Sequence, residues 1–226
     1  MKELDITFDL ETCSLASNAA VMQIAAVAWV RTHEVSESLF KEDDSYNTGV
    51  DLRSCVMDGL DFDPKTIAWW TSQNKQSKDA VLSCDPVSIR EAVFTFLMWI
   101  NERKEAYGAE KVYLWAEGSD FDIAVLKTLC KLYGFDIPVM YTSFRDARTF
   151  VLESGQRLLQ GHAVGATDGN ILHERECYAA VTKGFKLPDV LTIEKPHDAL
   201  YDCYRTAWNT WCALHQVEPS ETSLSA

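Results

Sequence analysis

A chain of 226 residues, 47% of them hydrophobic, can bury the core of one α/β domain, with or without a long insertion. Its net charge of −13 argues against tight general duplex binding, which draws its affinity from basic groups on phosphates. No run of about 18 uncharged apolar residues is present, and MKELDITFDLET reads as a strand rather than a signal peptide, so a soluble, intracellular protein is expected. Seven cysteines without a Cys-x-x-Cys pair read as reduced, buried small hydrophobes.

In chain order, Leu4, Ile6, Phe8 and Leu10 alternate with Asp5, Thr7, Asp9 and Glu11, predicting a strand over 4–11 with Asp9 and Glu11 on one side. Carboxylates about 4 Å apart repel by on the order of 4 kcal/mol at an effective dielectric near 20. Such a pair is either open to water or holds a cation, and oxygen-only ligands favour hard ions such as Mg²⁺ or Mn²⁺. A lone Asp-x-Glu is more commonly a wet acidic face. A second apolar run covers 21–30, and a third strand is expected near 46–52, giving three antiparallel strands at the start of the sheet. Asp63 and Pro64 make a cap and first position for a short helix through Trp70. Asp85 and Pro86 suggest the same device before Ile89, Val93, Phe96, Leu97 and Ile100, a core-facing helix. Adjacent helical residues point about 100° apart, so Trp70 is assigned to the core and Trp69 is kept as a stacking candidate for an unpaired base.

Val112, Leu114 and Ala116 mark a strand over 111–116, broken by Glu117, Gly118 and Ser119. Ile123, Leu126, Leu129, Cys130 and Tyr133 then recur at helical spacing up to a stop at Gly134. Asp122 falls in the first turn of that helix, where the dipole favours an ionised carboxylate. Asp120 is assigned to capping. Further on, HDALYD leads into Cys203, Thr206, Ala207, Thr210 and Trp211, another helical stripe. His197 and Asp202 would lie about 140° apart on one helix. His197 is therefore placed on the incoming loop, with Asp198 as cap and Asp202 in the first turns, so that both face one centre. A neutral histidine there could take a proton from an attacking water. Among the basic residues, Arg145, Arg148, Arg157, Lys183 and Lys186 are candidates for contacts to a nucleic-acid backbone.

FDLET, SDFDIAVL and HDALYD, in that order, resemble the three exonuclease motifs of the DEDD superfamily, in the subclass whose histidine stands five residues before the last aspartate. TIAWWTSQ at 66–73, FRDARTF at 144–150 and the total length resemble phage and prophage exonucleases of the DexA type and related RNase T-like exoribonucleases. The resemblance covers nearly all of residues 1–210 and is weakest over 153–194, read as an irregular insertion in an exonuclease domain of residues 1–215 with a flexible tail at 216–226. It implies an α/β, RNase H-like fold with a central mixed sheet flanked by helices. It also implies removal of mononucleotides from the 3′ end of single-stranded nucleic acid, with DNA placed ahead of RNA, and a homodimer as in some relatives. Asp9, Glu11, Asp122 and Asp202 would hold two divalent cations, Mg²⁺ or Mn²⁺, and His197 would be the general base. By the same analogy Leu15 would wedge beside the terminal base. The rival readings are an inactive nucleic-acid-binding domain of the same fold and a structural cation site in a protein that is not a nuclease.

Overall fold

The computed structural model describes residues 2–31, 39–82, 85–161, 174–195 and 197–216. Its centre is β1 (Glu3–Thr12), flanked on one side by the antiparallel β2 (Val21–Trp29) and on the other by the parallel β5 (Lys111–Ala116). With β3 (Ser45–Val50), β4 (Pro86–Val87) and β6 (Phe144–Asp146) they form one mixed sheet in the order β4-β3-β2-β1-β5-β6. The strand alternation has a physical consequence on β1 and β2, because their two faces enter two different cores. Leu4, Ile6, Phe8 and Leu10, with Ile24, Ala26 and Ala28, pack beneath α4 (Ile89–Tyr107) and α5 (Asp122–Tyr133). Ala25, Val27 and Trp29, with Tyr113 and Trp115, pack beneath α8 (Ala199–His215).

Asp5 and Thr7 lie on the α8 side of β1, the face that Asp9 and Glu11 continue. Both are fully buried and fully answered: Arg31 donates twice to Asp5 (2.6 and 2.7 Å), Trp115 Nε1 donates to it at 2.6 Å, and Trp29 Nε1 donates to Thr7 at 3.0 Å. One half of this polar stripe is satisfied by protein. The half nearer the strand's end carries Asp9 and Glu11.

Two boundaries differ from expectation. The third strand stops at Val50, because the Asp51 side chain accepts from Arg53 N and caps α1 (Leu52–Met57). Asp85 and Pro86 do not start a helix. Pro86 and Val87 pair with Gly49 and Val50 as the sheet edge, where a proline's missing donor costs nothing, and Ser88 caps α4 by accepting from Glu91 N. Asp63 and Pro64 do open α2 (Pro64–Ser72) as expected, followed by α3 (Lys75–Leu82). Gly134 ends α5 in the left-handed conformation, φ 70°.

The described parts of 153–194, expected as an irregular insertion, hold the end of α6 (Ala147–Gly161), all of α7 (Glu174–Thr182) and a 3₁₀ turn at Asp189–Leu191, with irregular chain at 183–188 and 192–194. Residues 162–173 between the two helices, and 217–226 of the expected tail, lie outside the described residues. The α6–α7 crossing is close: a Cβ on Gly155 would stand 2.5 Å from Cys177 Cα. All six described cysteines are free and buried. Among the described residues no helix is long and apolar enough to cross a membrane.

Candidate active site

Three elements converge at the end of β1. Asp9 and Glu11 come from the strand itself. Asp122 comes from the first residue of α5, 3% exposed, where its Oδ1 accepts from Leu10 N at 3.2 Å and so ties the helix start to β1. Asp120 does not cap α5, as the sequence suggested: Phe121 occupies the cap position with no side-chain bond. The loop is braced by Asp146 instead, whose Oδ2 accepts from Ser119 N (2.6 Å) and whose Oδ1 accepts from Thr149 N (2.7 Å).

The third element is the approach to α8. Asp198 Oδ1 accepts from Leu200 N and Tyr201 N at 3.1 and 3.4 Å, and Gln23 Oε1 accepts from Ala199 N at 3.3 Å, fixing the helix start onto β2. His197 precedes this cap with φ 61°, the one non-glycine residue of positive φ among the described residues. Such a conformation persists where surroundings over-determine it. Here Trp69 meets the imidazole edge-on at a centroid distance of 4.8 Å and Trp70 at 6.0 Å, while Trp70 Nε1 donates to Thr12 O at 2.9 Å. Trp70 is a core residue, as expected, and Trp69 is 43% exposed.

Ligand atoms of Glu11, His197 and Asp202 all lie within 4.8 Å of one another. Asp9 stands outside that trio but feels Asp122, Glu11 and Asp202 electrostatically. Burial, followed by these neighbours, holds the Asp9 carboxyl well above its usual range even though its surface keeps a partial opening to solvent. Burial also pushes Glu11 up to about 8, with Asp202 and Asp122 adding repulsion. Asp122 rises to about 7 through burial, opposed by the Leu10 N–H and by Arg148, and Asp202 rises to about 6 through burial, opposed by Arg205. His197 is held below 6.5 by burial and then by the Arg205 charge.

The donor set fits a hard divalent cation. Asp202 Oδ1 is buried and accepts no hydrogen bond, although Arg205 Nη2 is 3.2 Å away; the contact is ionic without hydrogen-bond alignment. A desolvated carboxylate oxygen lacking a donor, among four mutually repelling acids, is the arrangement that a cation relieves.

Two residues escaped the sequence reading. Glu117, taken there as a strand breaker, accepts from Tyr178 OH at 2.8 Å and Thr206 Oγ1 at 2.7 Å, and lies 3.8 Å from Arg205. Its charge acts on Asp9, Asp122 and Asp202. The signal was period two: Tyr113 and Trp115 face α8, so Glu117 extends their row beside Asp9. Arg205, one turn after Asp202, was signalled by the i,i+3 spacing.

The substrate candidates separate. Leu15 is 77% exposed on the loop after β1, and Trp69 stands over His197. Arg148 lies close enough to Asp122 to lower its pKa, and pairs with Glu174 at 3.8 Å. Arg145 is not brought to the carboxylates. Its guanidinium covers Tyr113 at 4.6 Å and donates to the carbonyls of Thr142 and Phe144, because Tyr113 sits opposite Asp5 at the other end of β1.

Sheet order and flanking helices define an RNase H-like fold. The structure of cell-death related nuclease 4 (CRN-4) superposes with a TM-score of 0.57 at 17% identity, over 93% of this chain and 63% of that one. The nuclease domain of 3′hExo, described as a DEDDh family member bound to rAMP, superposes with a TM-score of 0.55 at 13% identity, over 94% of this chain and 92% of that one. This chain thus spans less than two thirds of the CRN-4 chain. No curated protein matches the sequence. The model of the 3′-5′ exoribonuclease Rv2179c-like domain matches residues 5–210, and the chain belongs to that family. Membership supports nuclease activity.

Proposed function

We propose that this protein is a 3′-5′ exonuclease that shortens single-stranded nucleic acid from its 3′ end and releases nucleoside 5′-monophosphates. One observation carries the reading: Glu11, His197 and Asp202 gather within 4.8 Å, beside Asp9 and Asp122, at the end of β1. The family designation moves the preferred substrate to RNA from the DNA placed first on sequence grounds. The likeness of TIAWWTSQ and FRDARTF to phage exonucleases is compatible with either.

Asp9, Glu11, Asp122 and Asp202 would hold two divalent ions, Mg²⁺ or Mn²⁺. When bound, such ions supply Lewis-acid polarisation of the scissile phosphate and offset the charge on the departing 3′ oxygen. His197, with a depressed pKa, is neutral near pH 7 and can accept the proton of the attacking water. Trp69 holds that imidazole on one side and offers an exposed ring surface for the terminal base. With a net charge of −13, grip on the strand is confined to a few terminal nucleotides. The inactive-domain alternative is disfavoured because the sequence carries Asp9, Glu11, Asp122, His197 and Asp202, where loss of activity would ordinarily show as a missing member of the set.

Incubation of the protein with matched RNA and DNA oligonucleotides, labelled at the 5′ or the 3′ end, with Mg²⁺, Mn²⁺ or a chelator, tests this. A 5′ label should appear on a descending ladder and a 3′ label as mononucleotide from the first time point, only with metal. Internal fragments, or intact strands under every condition, would overturn it.

A further inference from the structure

Beside Arg205, α8 and the segment after α7 line an open groove of about 360 Å³, near the lower end of the roughly 300–1,000 Å³ of small-ligand sites. Tyr201, Arg205, Trp208 and Asn209 form its floor at positions i, i+4, i+7 and i+8 of α8, and Phe185 and Leu191 are among its walls. Tyr201 and Asn209 are each only 8% exposed, and each brings a polar side chain to the lining of the groove. They add hydrogen-bonding capacity to a lining that is otherwise largely aromatic and aliphatic, which suits an occupant with both a flat face and a polar edge. The apolar wall is rigid: Phe185 is held edge-to-face by Trp208 at 6.2 Å and by Trp211 at 5.3 Å, and Trp208 stacks on Trp211.

We propose that this groove receives a nucleobase of the substrate strand, upstream of the nucleotide being removed. The inference rests on the exonuclease reading of the carboxylate site. A nucleobase matches the lining: a flat apolar face for Phe185, and an edge of donors and acceptors for Asn209, which offers both, and for the Tyr201 hydroxyl. Glu194, on the same lining, can accept from an exocyclic amine and so favours adenine, cytosine or guanine over uracil. Arg205 makes the groove continuous with the active site, lining it while its Nη2 lies 3.2 Å from Asp202 Oδ1, and supplies a cation where the strand's phosphates pass from one to the other.

The test is a binding scan with Ca²⁺ in place of Mg²⁺, using single-stranded RNA oligomers that carry one abasic residue at successive positions from the 3′ end. Wild type should lose about tenfold in affinity at one interior position. Asn209→Leu, of similar volume, should bind the intact oligomer more weakly and become indifferent to base removal at that position alone, a non-additive pair. If Asn209→Leu does not fold, Tyr201→Phe removes one hydroxyl and should show the same non-additivity at smaller amplitude. A flat scan, or additive effects, overturns the proposal. AMP that binds wild type and not Asn209→Leu, alongside a flat scan, would assign the groove to free mononucleotide and overturn the strand assignment. Wild type that shortens oligomers with Mg²⁺ yet gives a flat scan refutes the groove alone; wild type that neither binds nor shortens them refutes both readings.

Discussion

The ring of Trp69 stands at 86° to the imidazole of His197, their centroids 4.8 Å apart, so the candidate base leans on an aromatic wall supplied by a helix more than 120 residues earlier in the chain. That wall desolvates His197 and helps hold it at φ 61°.

His197→Ala should lower turnover by roughly 10² to 10⁴ while cation binding, measured by calorimetry, persists through the carboxylates. Trp69→Ala removes one side of the imidazole's enclosure. The His197 pKa should then move up towards 6.5, read by NMR titration, and turnover should fall most at the acidic end of the pH range. An unmoved pKa would show that Trp69 does not shape the histidine's surroundings.

The three aspartates around α5 should behave differently. Asp122→Ala should abolish activity, because it removes a carboxylate facing Asp9. Asp120→Ala, at an exposed residue with no capping role, should change stability by less than about 0.5 kcal/mol and leave turnover intact. Asp146→Ala removes an acceptor shared by two backbone N–H groups and should cost about 1 kcal/mol or more in urea unfolding. An Asp120 variant that loses activity would contradict the assignment.

The elements that carry the motifs were legible because their apolar residues keep a clear period. Leu4 to Leu10 keep two, and Ile123 to Tyr133 keep a helical one, which located Asp9, Glu11 and Asp122. His197 was placed off α8 by angular spacing alone. Roles that depend on distant packing were not legible. Asp120 and Asp85 both look like caps, and their neighbours' tertiary partners, Asp146 and the β3 edge, took over those positions. Glu117 acquires meaning only when α7 brings Tyr178 and α8 brings Thr206 to it. The helices over 147–161 and 174–182 meet through Gly155 against Cys177, a contact that no periodicity announces.

Glu117→Ala should leave Tyr178 OH and Thr206 Oγ1 without their acceptor, costing on the order of 1 to 3 kcal/mol. For a chain of this size that lowers the melting temperature by roughly 2 to 4 °C per kcal/mol. Glu117→Gln keeps an acceptor oxygen and should recover part of the loss. Two variants as stable as the wild type would mean that the carboxylate does not hold α7 and α8 to the end of β5.

Stability should depend on pH in a sense opposite to ordinary acid denaturation. Without metal, the folded-state pKa values of Glu11 (about 8), Asp122 (about 7) and Asp202 (about 6) exceed their unfolded values of 4.5, 3.8 and 3.8. The folded protein therefore binds more protons than the unfolded chain between those limits, and its stability falls as pH rises through the window. A bound cation replaces those protons, so its affinity should rise with pH over the same range. Metal-free protein should melt at lower temperature at pH 8 than at pH 5. Mn²⁺ or Mg²⁺ at about a hundred times its dissociation constant should restore roughly 2.7 kcal/mol, some 5 to 10 °C, at pH 8 and much less at pH 5. Equal melting temperatures at both pH values without metal, or equal gains from metal at both, would mean that the acids at the end of β1 do not form one charge-loaded site.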